Sequence, residues 1–179
     1  MLQGDRVRLR ALEPTDVEAI WSWHQDHELH VLDGWLYPAS RGQIAEWLHG
    51  VGEPGFRDAS FGIETEQGTL IGYVRLKRGS AEHRSADFGI AIAREHWDQG
   101  YGTDATRTMV RFGFEEMGLH RIELDVSVEN PRAQHVYEQC GFRVEGVARE
   151  ARWRFGQWVD MTQMAVLDRE FRESITATA

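Results

Sequence analysis

Several short runs of this chain alternate strictly between apolar and polar positions. Val7, Leu9 and Ala11 alternate with Arg6, Arg8 and Arg10, and Ile122, Leu124, Val126 and Val128 alternate with Arg121, Glu123, Asp125 and Ser127. A period of two puts one set on each face of a strand, so residues 6–12 and 120–128 are predicted to be half-buried strands. Residues 59–65 and 69–77 predict two more, joined by a turn at Gln67 and Gly68. A central strand follows at 86–93, and a last pair at 142–151 and 158–167 surrounds Phe155, Gly156 and Gln157. Between these runs the apolar spacing lengthens to that of helices. Pro14 opens one with Val17, Ile20 and Trp21 on a face. Ser40 and Gln43 form a capping box ahead of Ile44, Trp47, Leu48 and Val51. Residues 103–117 carry Ala105, Met109 and Phe112 three and four apart. Asn130 and Pro131 are an N-cap and a first-turn proline for a helix that stops at Gly141. Helices fall between strands, but several strands come as hairpins. The class is therefore α/β of the α+β mixed kind, with a mixed rather than purely parallel sheet.

Composition narrows the picture. The 179 residues suit a single domain, placed over 1–173, with residues 174–179 as a tail expected to fray. A net charge of −9 argues against nucleic acid as a partner, since phosphate backbones need a basic footprint, and is compatible with a cationic substrate. The lone cysteine, Cys140, excludes an internal disulfide and reads as a structural residue closing an apolar helix face. The first residues are polar with no apolar signal core, and no apolar run approaches the ~20 residues of a membrane span, so a cytoplasmic protein is expected. The eight histidines show no recognised metal spacing; HQDHELH at 24–30 reads as a solvated helix end, and no metal is expected.

Candidate chemistry concentrates at residues 97–106, WDQGYGTDAT, where Gly100 and Gly102 lie between the central strand and the next helix. Free amides at a helix start and the helix dipole attract anions, and glycine lets a phosphate approach the backbone. Residues 99–103 are thus a candidate pyrophosphate cradle; without a ligand they are a tight strand-to-helix turn. In the strand before it, Phe88, Ile90 and Ile92 point one way, and Asp87, Gly89, Ala91 and Ala93 point the other. The bare second face leaves room for an extended arm of ~20 Å ending near Asp87, or else accepts a closely packed helix. In NPRAQHVYEQCGF, Asn130, Ala133 and Tyr137 are three and four apart and lie near one helix face; from spacing alone Tyr137, flanked by Val136 and Cys140, reads first as a core residue. The glycine pattern lacks a third glycine, with alanine at Ala105, which disfavours a dinucleotide enzyme.

The order strand, WDQGYGTDA, helix, strand, NPRAQHVYEQCGFRVEG resembles the GNAT superfamily of acetyl-CoA-dependent N-acetyltransferases. The C-terminal GFRVEGVAREARWRFGQWVDMTQMAVL is similar to the Rim-type branch of ribosomal-protein alanine and spermidine acetyltransferases. The resemblance runs from the first strand to the last. It implies one largely antiparallel sheet of about seven strands, splayed between the fourth and fifth, with about four helices on its two faces. It also implies acetyl-CoA as co-substrate and, as acceptor, a protein N-terminus or a small polyamine or other amine. Gln99, Gly100, Tyr101, Gly102 and Thr103 match the family's pyrophosphate loop, led by Trp97 and Asp98; the family often carries glutamine or arginine where Trp97 stands. Ile90, Ala91 and Ile92 match the strand that pairs with the pantetheine arm, and Asn130, with Ala133 beside it, matches the contact near the thiol end. Tyr137 matches the general acid, and Asp87 stands where relatives place a proton-removing carboxylate, here through water; His83 and His96 are alternative bases. The aromatic and acidic stretch with Trp21, Trp35 and Tyr37 borders the family's acceptor pocket. A sensor that binds acyl-CoA without catalysis is the alternative function, and both monomer and homodimer are compatible with the chain.

Overall fold

The alternating runs form strands, and all seven join one sheet. In the computed structural model, which describes residues 2–26, 38–51, 58–80 and 82–178 (side chains at 78–80 and 174–178 excepted), the strands are β1 (Val7–Arg10), β2 (Ala59–Thr65), β3 (Leu70–Ser80), β4 (Ser85–Ile92), β5 (Arg121–Ser127), β6 (Arg143–Arg154) and β7 (Gln157–Leu167). Their order is β1-β2-β3-β4-β5-β7-β6. Every neighbouring pair is antiparallel except β4 and β5. The described α-helices are α1 (Val17–Trp23), α2 (Arg41–Gly50), α3 (Tyr101–Glu115), α4 (Pro131–Gln139) and α5 (Asp168–Thr178). None is long and apolar enough to cross a membrane.

The feature that positions the site is where β4 and β5 stop pairing. Ser85, Ala86 and Asp87 pair with Arg121, Ile122 and Glu123, and beyond these the two strands part. The splay lies where the resemblance places it. At the first unpaired position of β4, the Phe88 ring packs edge-on to Tyr137 and tilted against Phe142, with centroids 5.9 and 5.8 Å away.

The main core joins β-strand residues such as Phe61, Ile63, Val74, Ile122, Leu124 and Met164 to Met109, Val110 and Phe114 of α3. A second core joins Ile20 and Trp23 of α1 and Ile44 of α2 to Tyr73, Ala91 and Ala93. The bare face of β4 is therefore covered: Ala91 and Ala93 sit under this second core, and a Cβ on Gly89 would meet the Arg75 side chain at 2.8 Å. Small residues there admit close packing, not an extended ligand. The capping box forms as its residues demand, with the Ser40 hydroxyl accepting from the Gln43 amide at 3.2 Å and the Gln43 side chain accepting from the Ser40 amide at 2.9 Å. The fifth helix, α5, goes beyond the four expected, and its backbone runs to Thr178, through most of the stretch read as a tail. Its sequence is mostly polar, but Phe171 and Ile175 stand four apart on one face, and buried Phe171 holds it against Phe114, centroids 5.4 Å apart.

Edge strand β1 is held by a charge network. Glu64 of β2 accepts from Arg8 and, at 2.9 Å, from Arg10, whose guanidinium also forks onto Asp16 at 2.8 and 2.9 Å. The Arg8 hydrogen bond, helped by Arg10 and opposed by burial, holds the Glu64 carboxyl below its ordinary 4.5. Burial pushes Asp16 up, but the Arg10 hydrogen bond and the Glu13 amide outweigh it and leave the group below 3.8. A carboxyl depressed on folding stabilises fully above its unfolded value and loses that contribution as pH falls through its folded one. Glu64→Gln should therefore lower Tm by about 4 °C at pH 7, the effect of about 1–2 kcal/mol in a chain of this size. The gap should narrow progressively as pH falls below 4.5 in calorimetric melts; a gap that stays constant well below that pH would contradict the network's role.

Candidate active site

After β4 the chain makes a 3-10 turn at Arg94–His96, passes through Asp98 at φ +57° and Gly100 at φ +80°, and enters α3. The left-handed conformation at Gly100 is one that glycine adopts without steric cost. The Asp104 amide is the first in α3 to bond back, reaching the Gly100 carbonyl at 3.1 Å, so the amides ahead of it have no place in the helix ladder. The turn is fixed from below. The Asp104 carboxylate accepts from the amides of Asp5, Arg6 and Val7 at 3.0, 2.8 and 3.0 Å, and Arg6 donates to the Gln99 carbonyl at 3.2 Å. It is fixed from the side as well. The Trp97 indole donates to the Ile92 carbonyl at 2.7 Å, and the Arg132 guanidinium lies 3.6 Å from the centre of its ring, a cation–π contact that joins the turn to α4.

A groove of about 430 Å³ begins at this turn. Its walls are Ile90, Ala91 and Ile92 of β4, Trp97, Asp98, Gly100, Gly102 and Thr103 of the turn, and Asn130, Ala133 and Tyr137 around α4. It runs on the Ile90 and Ile92 side of β4, opposite to the side that sequence spacing suggests. Two residues matched to the pyrophosphate loop do not line it. Gln99 bends back to donate to the Glu95 carbonyl at 3.0 Å, and the Tyr101 ring stands edge-on to His96, centroids 6.2 Å apart. Arg132, Val136 and Gln139 also line it and were missed, although their spacing of four and three puts them on one face of α4. Asn130 shapes α4 directly: its side-chain oxygen accepts from the Ala133 amide at 3.1 Å.

Tyr137 is half-buried, its ring held by Phe88 and Phe142. It and Asn130 also line a second cavity, of about 90 Å³, with Asp125, Ser127, Glu129, Arg152, Arg154 and Phe155. These two residues thus stand at the junction of groove and cavity. Asp87 is not with them. It is exposed and lines a separate hollow with Arg121, Glu123, Asp125 and Glu145. Asp87 belongs to the last pair before β4 and β5 part, so it falls short of the gap that Tyr137 borders. Asp125, two residues past Glu123 on the same face of β5, lines both the hollow and the Tyr137 cavity. Sequence reading placed it only on the outward face of a strand; its closeness to Asn130 in the chain was the available signal.

The remaining candidates scatter. His96 lines the groove at its turn end and His83 is exposed before β4; neither lines the Tyr137 cavity. Trp21 of α1 carries the Arg41 guanidinium 3.5 Å over its ring and lines neither space. Trp35 and Tyr37 lie outside the described residues. Among the described residues no three metal-ligating side chains are grouped to hold an ion. The Cys140 thiol is buried beside the Thr103 carbonyl, and burial pushes its pKa up to about 12, which removes it as a nucleophile.

The parallel strand pair thus parts beside a glycine-bearing helix start, and Tyr137 stands between a long groove and a small cavity. Residues 6–143 match the family model described as acetyltransferase (GNAT) domain, and the chain belongs to that family. It is 32% identical to the spermidine N(1)-acetyltransferase of Vibrio cholerae, covering 94% of this chain and 96% of that one. It is 29% identical to the putative ribosomal N-acetyltransferase YdaF of Bacillus subtilis, covering 94% of each. The solved spermidine N-acetyltransferase from Vibrio cholerae, in complex with CoA and spermine, superposes with a TM-score of 0.86 at 32% identity over 93% of this chain and 98% of that one. The protein is an N-acetyltransferase of a family that uses acetyl-CoA.

Proposed function

We propose that this protein moves acetyl from acetyl-CoA to a primary amine, with Tyr137 as general acid. The observation that carries the reading is that Tyr137 and Asn130 line both groove and cavity, where donor and acceptor would meet. The groove suits CoA: a glycine-bordered helix start for the pyrophosphate and an apolar wall of Ile90 and Ile92 for the arm. Acetyl-CoA supplies the acyl group already activated as a thioester. The backbone at Gly100, Gly102 and Thr103 would take the phosphate charge, and Arg132 would add a cation beside them. Tyr137 protonates the departing sulfur. A protonated amine has no lone pair, so a base must act first. Asp125 and Glu129 are the carboxylates in the Tyr137 cavity; Asp125, which also borders the hollow of Asp87, takes the proton and passes it to Asp87 through water. Holding the amine against the thioester supplies much of the rate, with no acyl-enzyme. The acceptors in the names of the relatives suggest a polyamine or a protein N-terminus.

The test pairs binding with turnover. Acetyl-CoA should raise Tm and a nicotinamide dinucleotide should not. Thiol release should require an amine, and mass detection across an amine panel should find the acetylated product. A Tm shift without amine-dependent release would identify the non-catalytic sensor; no shift would remove both readings.

A further inference from the structure

The small cavity beside Tyr137 carries both signs of charge. Asp125 and Glu129 come from β5 and the turn after it, and Arg152 and Arg154 come from the end of β6. Its floor is apolar, with Val159 7% and Met161 3% exposed. Phe155, at its rim, is 64% exposed and holds φ +47°, next to Gly156 at φ +76° in the β6–β7 turn. A bulky residue in the left-handed region is strained, and such strain gathers at ligand sites. The turn keeps both arginines and this ring on the cavity. Burial, then the neighbouring charge of Arg152, lowers the pKa of Arg154. A volume of about 90 Å³ is room for a very small molecule.

We infer that the acceptor is a small zwitterion, an amino acid whose amine is received beside Tyr137 and Asp125 and whose carboxylate is held by Arg152 and Arg154. The inference rests on the acetyl-transfer reading and narrows its substrate. Guanidinium and carboxylate are matched in geometry, and both arginines line the space where the carboxylate would lie. A polyamine would bring a further cation against them, which builds discrimination against it.

The experiment compares, at saturating acetyl-CoA, kcat/KM for each proteinogenic amino acid, its amide and its decarboxylated amine. At least one amino acid should exceed its amide by about tenfold, the scale of one or two charge-assisted hydrogen bonds. That ratio should fall toward one in Arg152→Gln and Arg154→Gln, with part regained in the corresponding lysine variants. Amides or polyamines used as well as every amino acid, or a preference that survives the double glutamine variant, would overturn the inference and leave acetyl transfer intact. If no amine is acetylated, the acetyl-transfer reading is what fails. Calorimetric titration of the same amino acids and amides into CoA-saturated protein then decides the site by itself, with carboxylate-dependent binding supporting it and equal or absent binding rejecting it.

Discussion

Tyr137→Phe should lower kcat by about 100-fold or more, the usual scale of a lost general acid. The KM for acetyl-CoA should change by no more than about twofold. The phenylalanine ring keeps the packing on Phe88 and Phe142, whose centroids both lie 5.9 Å from that of the native tyrosine, so the groove wall stays in place. What is lost is a proton donor at the junction of groove and cavity. The pH profile separates the two roles: wild-type kcat should fall at high pH as the phenol ionises, and the variant should lack that limb. Steady-state rates within about threefold of wild type would remove Tyr137 from the chemistry and leave it as a packing residue.

Gly72→Ala should be the most damaging small substitution in the sheet. A Cβ there would stand 2.2 Å from the Ala91 carbonyl oxygen and 3.0 Å from the Ile92 Cα. Both are backbone atoms of β4, which cannot swing aside as a side chain can. The β3–β4 ladder must shift, at about 3 kcal/mol, which is about 6–12 °C of Tm. Because Ala91 and Ile92 also wall the groove, affinity for CoA should fall with stability. A melt within 2 °C of wild type, at about the resolution of such comparisons, would show that the ladder tolerates the methyl group.

Much of the sheet was legible because strand and helix periods are local. The 59–65 strand emerges with the same bounds, and the capping of α2 and α4 follows from Ser40 and Asn130 as single residues. The splay was not legible in the alternation; it entered through the family resemblance. Alternation says which face Asp87 takes, but not that β4 is still paired with β5 at that residue. That depends on where two distant strands separate. For the same reason Asp125 went unnoticed as a partner of Tyr137, and the small face of β4 was open to two readings until α1 and α2 were found packed on it. Arg152 and Arg154 lie beyond the 142–151 run read as a strand; β6 continues to Arg154, and the β6–β7 hairpin brings both to the cavity of the phenol.

The burial of Cys140 has a practical side. The chain contains a single sulfhydryl, and with its acidity suppressed to about 12 almost none of it is thiolate near neutrality. A chromogenic disulfide reagent added to a folded sample would find nothing on the protein to cleave it. Colour developing during an assay would then count liberated coenzyme alone, and a slow rise in colour without acceptor would report unfolding.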